Sequence, residues 1–258
     1  LDTFGEMQSS KSYYNTVQND FLFLVQTDSE NRVCNMLHIN RDTMAEIDRL
    51  GIGGVKYGTS FEQIALAHTY GDGISQSCVN TKNAVSRLLH GIKIDYYVAM
   101  TMDAVVAIND YMGGVSVQIP YDMTNIDESF VVGANVNLLG EASMKFIRAR
   151  SELEDSSNLS RMERQRIYIK AFLEKISDIS ITNAFIDSMY STADKYILTD
   201  CPAKNVDEFV KNIGEYEIGD IETVPGEAKL GAEFIEYYAD DEKLQKLIAG
   251  LFYEKLDK

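Results

Sequence analysis

The sequence predicts an α/β fold, a sheet with helices packed on its faces. Two strand-length apolar runs open the chain, and strand, helix and strand patterns follow one another between residues 94 and 119. Long helical patterns then fill the C-terminal half. The 258 residues are 45% hydrophobic and 25% charged, which suits a globular chain and argues against disorder or a fibrous repeat. No internal repeat and no linker-like stretch divides the sequence, so one domain is expected over 1–258.

Residues 21–25 are a continuous apolar run, and residues 33–39 are mostly apolar with polar positions alternating near the centre. Between them Thr27-Asp28-Ser29-Glu30-Asn31 is a turn cluster, so the two runs read as a hairpin or adjacent strands. Arg41 and Asp42 then stand where a strand ends. After a glycine-rich loop at 51–58, residues 59–68 and 80–90 carry helical spacing. A buried strand is expected at 94–100, a helix at 103–112 stopped by Gly113-Gly114, and a strand at 115–119 closed by Pro120. Asn137 reads as the cap of a short helix over 138–145. Ser160-Arg161-Met162-Glu163 fits a capping box, with Met162, Ile169, Phe172, Leu173 and Ile176 as the apolar stripe of the helix that follows. Further helical patterns lie at 183–197, 206–213 and 241–256.

The chain has 24 Lys and Arg against 40 Asp and Glu, a net charge of −16. That balance argues against general affinity for nucleic acid or an anionic membrane, so any bound anion needs a local concentration of cations. Residues 145–175 supply one: eight of the 24 basic residues lie there, facing five acidic ones. In an extended segment Arg148 and Arg150 would project to the same side. Arg161 and Arg164, three apart, share one face of a helix. Two arginines in a first helical turn oppose the helix dipole unless an anion sits there, and the planar guanidinium grips phosphate with two parallel bonds. Surface ion pairs with Glu152, Glu154, Asp155 and Glu163 are the plainer explanation of the same charges.

Asp20, directly before the first apolar run, and Asp2, before a polar loop, are the candidate metal-binding carboxylates. Mg²⁺-assisted phosphoryl transfer needs carboxylate oxygens and substrate phosphates together. Cys34, Cys78 and Cys201 show no metal-ligand spacing, and His38, His68 and His90 are not spaced as ligands, although His68 falls near the expected site. No window approaches eighteen consecutive apolar residues.

In this order the pieces resemble the LytR-CpsA-Psr family of bacterial cell-wall phosphotransferases. Leu1-Asp2-Thr3 is similar to its opening Gly-x-Asp motif, Asn19-Asp20-Phe21 to Ser-Asp-Thr, and Asn40-Arg41-Asp42-Thr43 to Pro-Arg-Asp-Thr. The stretches 91–98 and 113–120 match its middle section. Leu139-Gly140-Glu141-Ala142, Arg148-Ala149-Arg150 and Arg161-Met162-Glu163-Arg164-Gln165 match its most distinctive run. The match covers roughly 1–176, with 177–258 expected as a helical extension of the same domain. The sequence departs from the family at Phe4-Gly5, where an arginine often follows the first aspartate motif, at Gln63-Ile64-Ala65 in place of Lys-Ile-Asn, and at Asn40.

The resemblance implies one three-layer α-β-α domain with a central mixed sheet flanked by helices. It also implies an N-terminal transmembrane anchor and work on the extracellular face of the cell membrane. The implied reaction moves a phospho-glycan, of teichoic acid or capsule type, from a polyprenyl-(pyro)phosphate carrier to peptidoglycan, assisted by Mg²⁺. Arg41, Arg148, Arg150, Arg161, Arg164 and Gln165 would bind the pyrophosphate. Arg41, Asp2 and Asp20 would be catalytic, with Asp2 and Asp20 holding the metal. Phe130, Val131, Val132, Phe146, Ile169 and Phe172 are candidates for lining a prenyl tunnel, with ordinary core packing as the alternative. The rival functions are a polyprenyl-pyrophosphate hydrolase, which passes the same phosphate to water, and a non-catalytic binder of lipid-linked glycans.

Overall fold

The computed structural model describes residues 1–10, 14–149, 158–179 and 181–253. In chain order its elements are β1 (Leu22–Asp28), β2 (Val33–Ile39), β3 (Met44–Leu50), β4 (Lys56–Gln63), α1 (Ser75–Leu88), β5 (Val98–Met100), α2 (Met102–Tyr111), β6 (Val115–Gln118), β7 (Asn135–Leu138), α3 (Glu141–Arg148) and α4 (Asn158–Asp178). They continue as α5 (Asn183–Ala193), β8 (Ile197–Thr199), α6 (Ala203–Asn212), β9 (Glu217–Thr223), β10 (Gly226–Leu230), β11 (Ile235–Ala239) and α7 (Asp241–Phe252).

The expected hairpin forms: β1 and β2 are antiparallel, with Leu22 opposite Ile39 and Asp28 opposite Val33. Strand β9 joins β2 in parallel, giving a mixed three-stranded sheet in the order β1-β2-β9. The other strands pair two by two, β3 with β4, β5 with β8, β6 with β7 and β10 with β11. One face of the mixed sheet delivers Leu22, Leu37 and Ile39 to a core shared with Ala84, Val85, Leu244 and Ile248 of α1 and α7. A second core joins Val115, Val117 and Leu138 to Phe146 and Tyr168 of the α3–α4 pair.

Several expectations are corrected. Residues 59–63 belong to strand β4, not to a helix, and 64–69 form a short 3-10 segment. Exposed Tyr57, Thr59 and Phe61 alternate there with better-covered Gly58, Ser60 and Glu62, a period of two that one-sided pairing to β3 produces. The strand expected at 94–100 shrinks to β5. It and β6 pair with different partners, so the strand–helix–strand run does not build one continuous sheet. Asn137 lies in β7, and α3 starts only after Gly140, whose φ of 52° favours glycine. Helix α4 is already formed at Asn158, so Ser160 is inside it rather than capping it. Residues 177–258 are not a purely helical extension, since β9 from that region completes the mixed sheet. The stop after α2 is as expected: Gly113 and Gly114 have φ of 76° and 85°, and a Cβ at Gly114 would stand 2.7 Å from the Leu138 carbonyl oxygen.

Candidate phosphate-binding site

Asp20 stands two residues before Leu22 and Arg41 two residues after Ile39, so the β1–β2 register, extended by two residues, sets them opposite each other. Arg41 Nη1 donates to Asp20 Oδ1 at 2.5 Å. The first turns of α4 bring in Arg161, whose Nη1 donates to the same Oδ1 at 2.8 Å. One carboxylate therefore receives two guanidiniums, and all three residues are buried, Asp20 at 4% exposure and Arg161 at 2%. Burial pushes the Asp20 carboxyl up, but Arg161 and Arg41 outweigh it and hold the group below the ordinary carboxylate value.

A second pair lies alongside. Arg148, the last residue of α3, donates from Nη2 to Asp2 Oδ1 at 2.6 Å, and both side chains are about one-third exposed. Its guanidinium also sits 5.2 Å from the centroid of the Phe4 ring. Gln18 joins the two pairs. Its carbonyl accepts the Asp2 amide N–H at 2.8 Å, and its side-chain oxygen accepts from Arg41 Nη2. The Arg148 charge is among those lowering Asp20. Three arginines from three distant segments thus meet two aspartates, with Arg148 and Asp2 on the solvent side.

Arg164 does not join them. It is fully buried, and all three guanidinium nitrogens are engaged: Nε donates to the Phe146 carbonyl at 2.7 Å, Nη1 to the Tyr121 hydroxyl and Nη2 to the Ala149 carbonyl. Gln165 Nε2 donates to the Ile147 carbonyl at 3.3 Å. Both residues face the C-terminal end of α3 rather than the aspartates. The acceptors that explain two arginines early in α4 are the Asp20 carboxylate for Arg161 and, for Arg164, the carbonyls at the negative end of α3. Arg148 is helical, so it does not alternate with Arg150 on an extended strand, and Arg150 lies outside the described residues.

Of the residues offered for a tunnel or for ordinary core, Phe130 and Phe146 pack as core, fully buried and edge to face with centroids 5.9 Å apart, Ile169 and Phe172 pack partly buried against the same cluster, and Val131 and Val132 face solvent. His68 is buried behind the site, Nδ1 facing the Val17 carbonyl at 3.1 Å and Nε2 facing Cys78 Sγ at 3.8 Å.

Four residues escape sequence reasoning as parts of the site. Gln18 carries no motif signal. Asn158 donates from Nδ2 to Asn40 Oδ1 at 2.5 Å and accepts from Arg161 Nη2. Asn40 Oδ1 also accepts the Asp42 N–H at 3.0 Å, an Asx turn that shapes the loop a proline would otherwise stiffen. Phe4, visible in the sequence only as a missing arginine, provides a ring face for Arg148.

The model for the LytR_cpsA_psr family matches residues 4–251, which runs past the motif stretch at its C-terminal end and begins just after Asp2. A polyisoprenyl-teichoic acid–peptidoglycan teichoic acid transferase, TagU of Bacillus anthracis, is 26% identical over 228 residues, covering 86% of this chain and 68% of that protein. The crystal structure of Bacillus subtilis TagV superposes with a TM-score of 0.72 at 23% identity, covering 96% of each chain. A TagT structure bound to LIIa-WTA superposes at 0.71 with 22% identity, covering 91% of this chain and 84% of that one.

Proposed function

Because the chain belongs to the LytR_cpsA_psr family, we propose that it transfers a phospho-glycan of teichoic acid type from a polyprenyl-(pyro)phosphate carrier to peptidoglycan. The TagU relative is named a polyisoprenyl-teichoic acid–peptidoglycan teichoic acid transferase, which supports the polymer, the polyisoprenyl carrier and the acceptor. The observation that carries the reading is the convergence of Arg41 and Arg161 on Asp20 beside the Asp2–Arg148 pair.

In this mechanism the guanidiniums are fixed before substrate arrives, so little reorganisation opposes charge build-up on the phosphate as the bond to the lipid phosphate breaks. Arg148, the most exposed of the three, meets the pyrophosphate first. Arg41 and Arg161, locked in place by Asp20, set the positive potential behind it. Asp20 is held anionic by its two partners and is a weak base. The proton of the attacking sugar hydroxyl is assigned to Asp2, which one guanidinium pairs rather than two and which solvent reaches.

The donor set fits Mg²⁺. Asp20 Oδ2 and Asp2 Oδ2 receive no hydrogen bond from the described residues, and Mg²⁺ commonly takes one or two carboxylates and completes its shell with phosphate oxygens and water. No group of three or more acidic, His or Cys side chains among the described residues offers a closed protein cage. Asp20 with Asp2 would hold the ion, which when bound neutralises charge on the phosphate oxygens.

The lipid is placed along the strip that starts next to Asp20. Phe21 and Phe23 stack with centroids 5.4 Å apart, and Val25 continues the same face of β1. Among the described residues no helix is long and apolar enough to cross a membrane. We place the reaction at the outer face of the cell membrane, where lipid carrier and peptidoglycan meet.

The test is incubation of the protein with labelled polyprenyl-pyrophosphate glycan, Mg²⁺ and peptidoglycan. Label in the insoluble polymer is expected. Free phospho-glycan with or without acceptor would make the protein a hydrolase, and tight lipid binding without turnover would make it a binding protein.

A further inference from the structure

We propose that Arg164 is a positioning residue that acts on the pyrophosphate only through Arg148. The inference rests on the reading above, in which Arg148 contacts the anion, and it moves Arg164 out of the binding set in which its motif places it.

The last four carbonyls of any helix lack partners within it and carry its negative dipole end. In α3 these belong to residues 145–148. Ala149 N–H returns to the Lys145 carbonyl at 3.1 Å. Arg164 Nε takes the Phe146 carbonyl at 2.7 Å, Gln165 takes the Ile147 carbonyl at 3.3 Å, and Arg164 Nη2 takes the carbonyl of Ala149 just past the helix. Arg164 therefore grips the backbone on both sides of Arg148. Its third nitrogen donates to the Tyr121 hydroxyl, and the Tyr121 ring lies 5.8 Å from the guanidinium carbon. The rigid fork joins α4 to the last turn of α3, and that turn aims Arg148 at Asp2, 2.6 Å away. With 0% exposure Arg164 cannot present a nitrogen to substrate without leaving these acceptors. Lysine, with one nitrogen, cannot span the same carbonyls.

The test is a double-mutant cycle on affinity for inorganic pyrophosphate, measured by calorimetry on the full chain. Arg164→Met keeps the bulk and removes the fork, and Tyr121→Phe removes one acceptor while leaving the rest, which covers the case in which Arg164→Met does not fold. Arg148→Ala is expected to weaken pyrophosphate binding about 10-fold or more, the range of a lost charged hydrogen bond. With Arg148 present, Arg164→Met is expected to weaken it by a similar factor and Tyr121→Phe by less. In the Arg148→Ala background both are expected to change it by under about 2-fold, since the side chain through which the clamp acts is gone. Arg164→Lys is expected not to rescue. Losses of equal size in both backgrounds would overturn the proposal, because a direct contact or a general loosening of the fold adds independently. Unchanged binding in Arg148→Ala alone would instead overturn the reading of Arg148 as an anion contact, and this proposal with it.

Discussion

Arg161 and Asp20 are 141 positions apart in the chain, and their side chains meet at 2.8 Å in a nearly water-free setting where Arg41 shares the same carboxylate oxygen. The strand hairpin and the long helix α4 are joined at this point. Removing the carboxylate leaves two buried cations without their common anion.

Asp20→Asn is therefore expected to destabilise the fold by about 3–5 kcal/mol, the cost of breaking a buried ion pair from one side. Chemical denaturation of the variant and the parent checks it. The folded-state value of Asp20 is depressed, so its contribution is present above the ordinary carboxylate value near 3.8 and is lost as pH falls through the lower folded value. The stability gap between parent and variant should accordingly narrow in strong acid; a gap independent of pH would show that the carboxylate charge is not what holds the arginines.

Arg148→Ala should separate activity from stability. Its side chain is one-third exposed, so the melting temperature is expected to move little, while kcat/KM for glycan transfer falls on the order of 100- to 1,000-fold, as for loss of one preorganised donor. Phe4→Leu, which removes only the ring face, is expected to cost about 2- to 5-fold in the same assay, the scale of an exposed cation–π contact.

Acid sensitivity should begin well above the carboxylate range. Burial, reinforced by the Arg166 and Arg161 charges, pushes His38 down from 6.5 to about 3, and burial pushes His68 down to about 4. Between those values and 6.5 the unfolded chain binds protons that the folded chain does not, so stability falls as pH drops through this window. His38 packs against Phe21 and Phe23 with Nδ1 unpartnered among the described residues, and His38→Met should flatten the slope from pH 6.5 down to about 4. An unaltered slope in thermal unfolding scans would remove His38 from the account.

Chelation should stop turnover and spare the fold. The donor set offers two carboxylates already neutralised by arginines, so EDTA is expected to abolish transfer, with recovery on adding Mg²⁺, and to leave the melting temperature unchanged. A large fall in melting temperature with EDTA would point to a structural metal instead.

Asn158→Ala frees the Arg161 fork and the Asn40 loop together. An expected loss of about 1–3 kcal/mol, the cost of unsatisfied buried polar groups, should appear in denaturation, accompanied by weaker substrate binding.

By itself the sequence determined the α/β class, the β1–β2 hairpin, the ends of α2, and the identity of the charged residues that meet at Asp20. Those features are written locally, in periodicity, turn residues and motif spacing. It misread residues 59–63, because an edge-paired strand with one open face has no continuous apolar run, and it saw no βαβ break, because strand pairing is chosen by distant partners. Only the tertiary structure decided which arginine does what. Arg161 and Arg164 look equivalent three residues apart on one helix, yet one meets a carboxylate carried by the sheet and the other the exposed carbonyls of α3. A guanidinium takes whichever acceptor the packing of separate elements brings within reach, and that neighbour is not encoded in spacing along the chain.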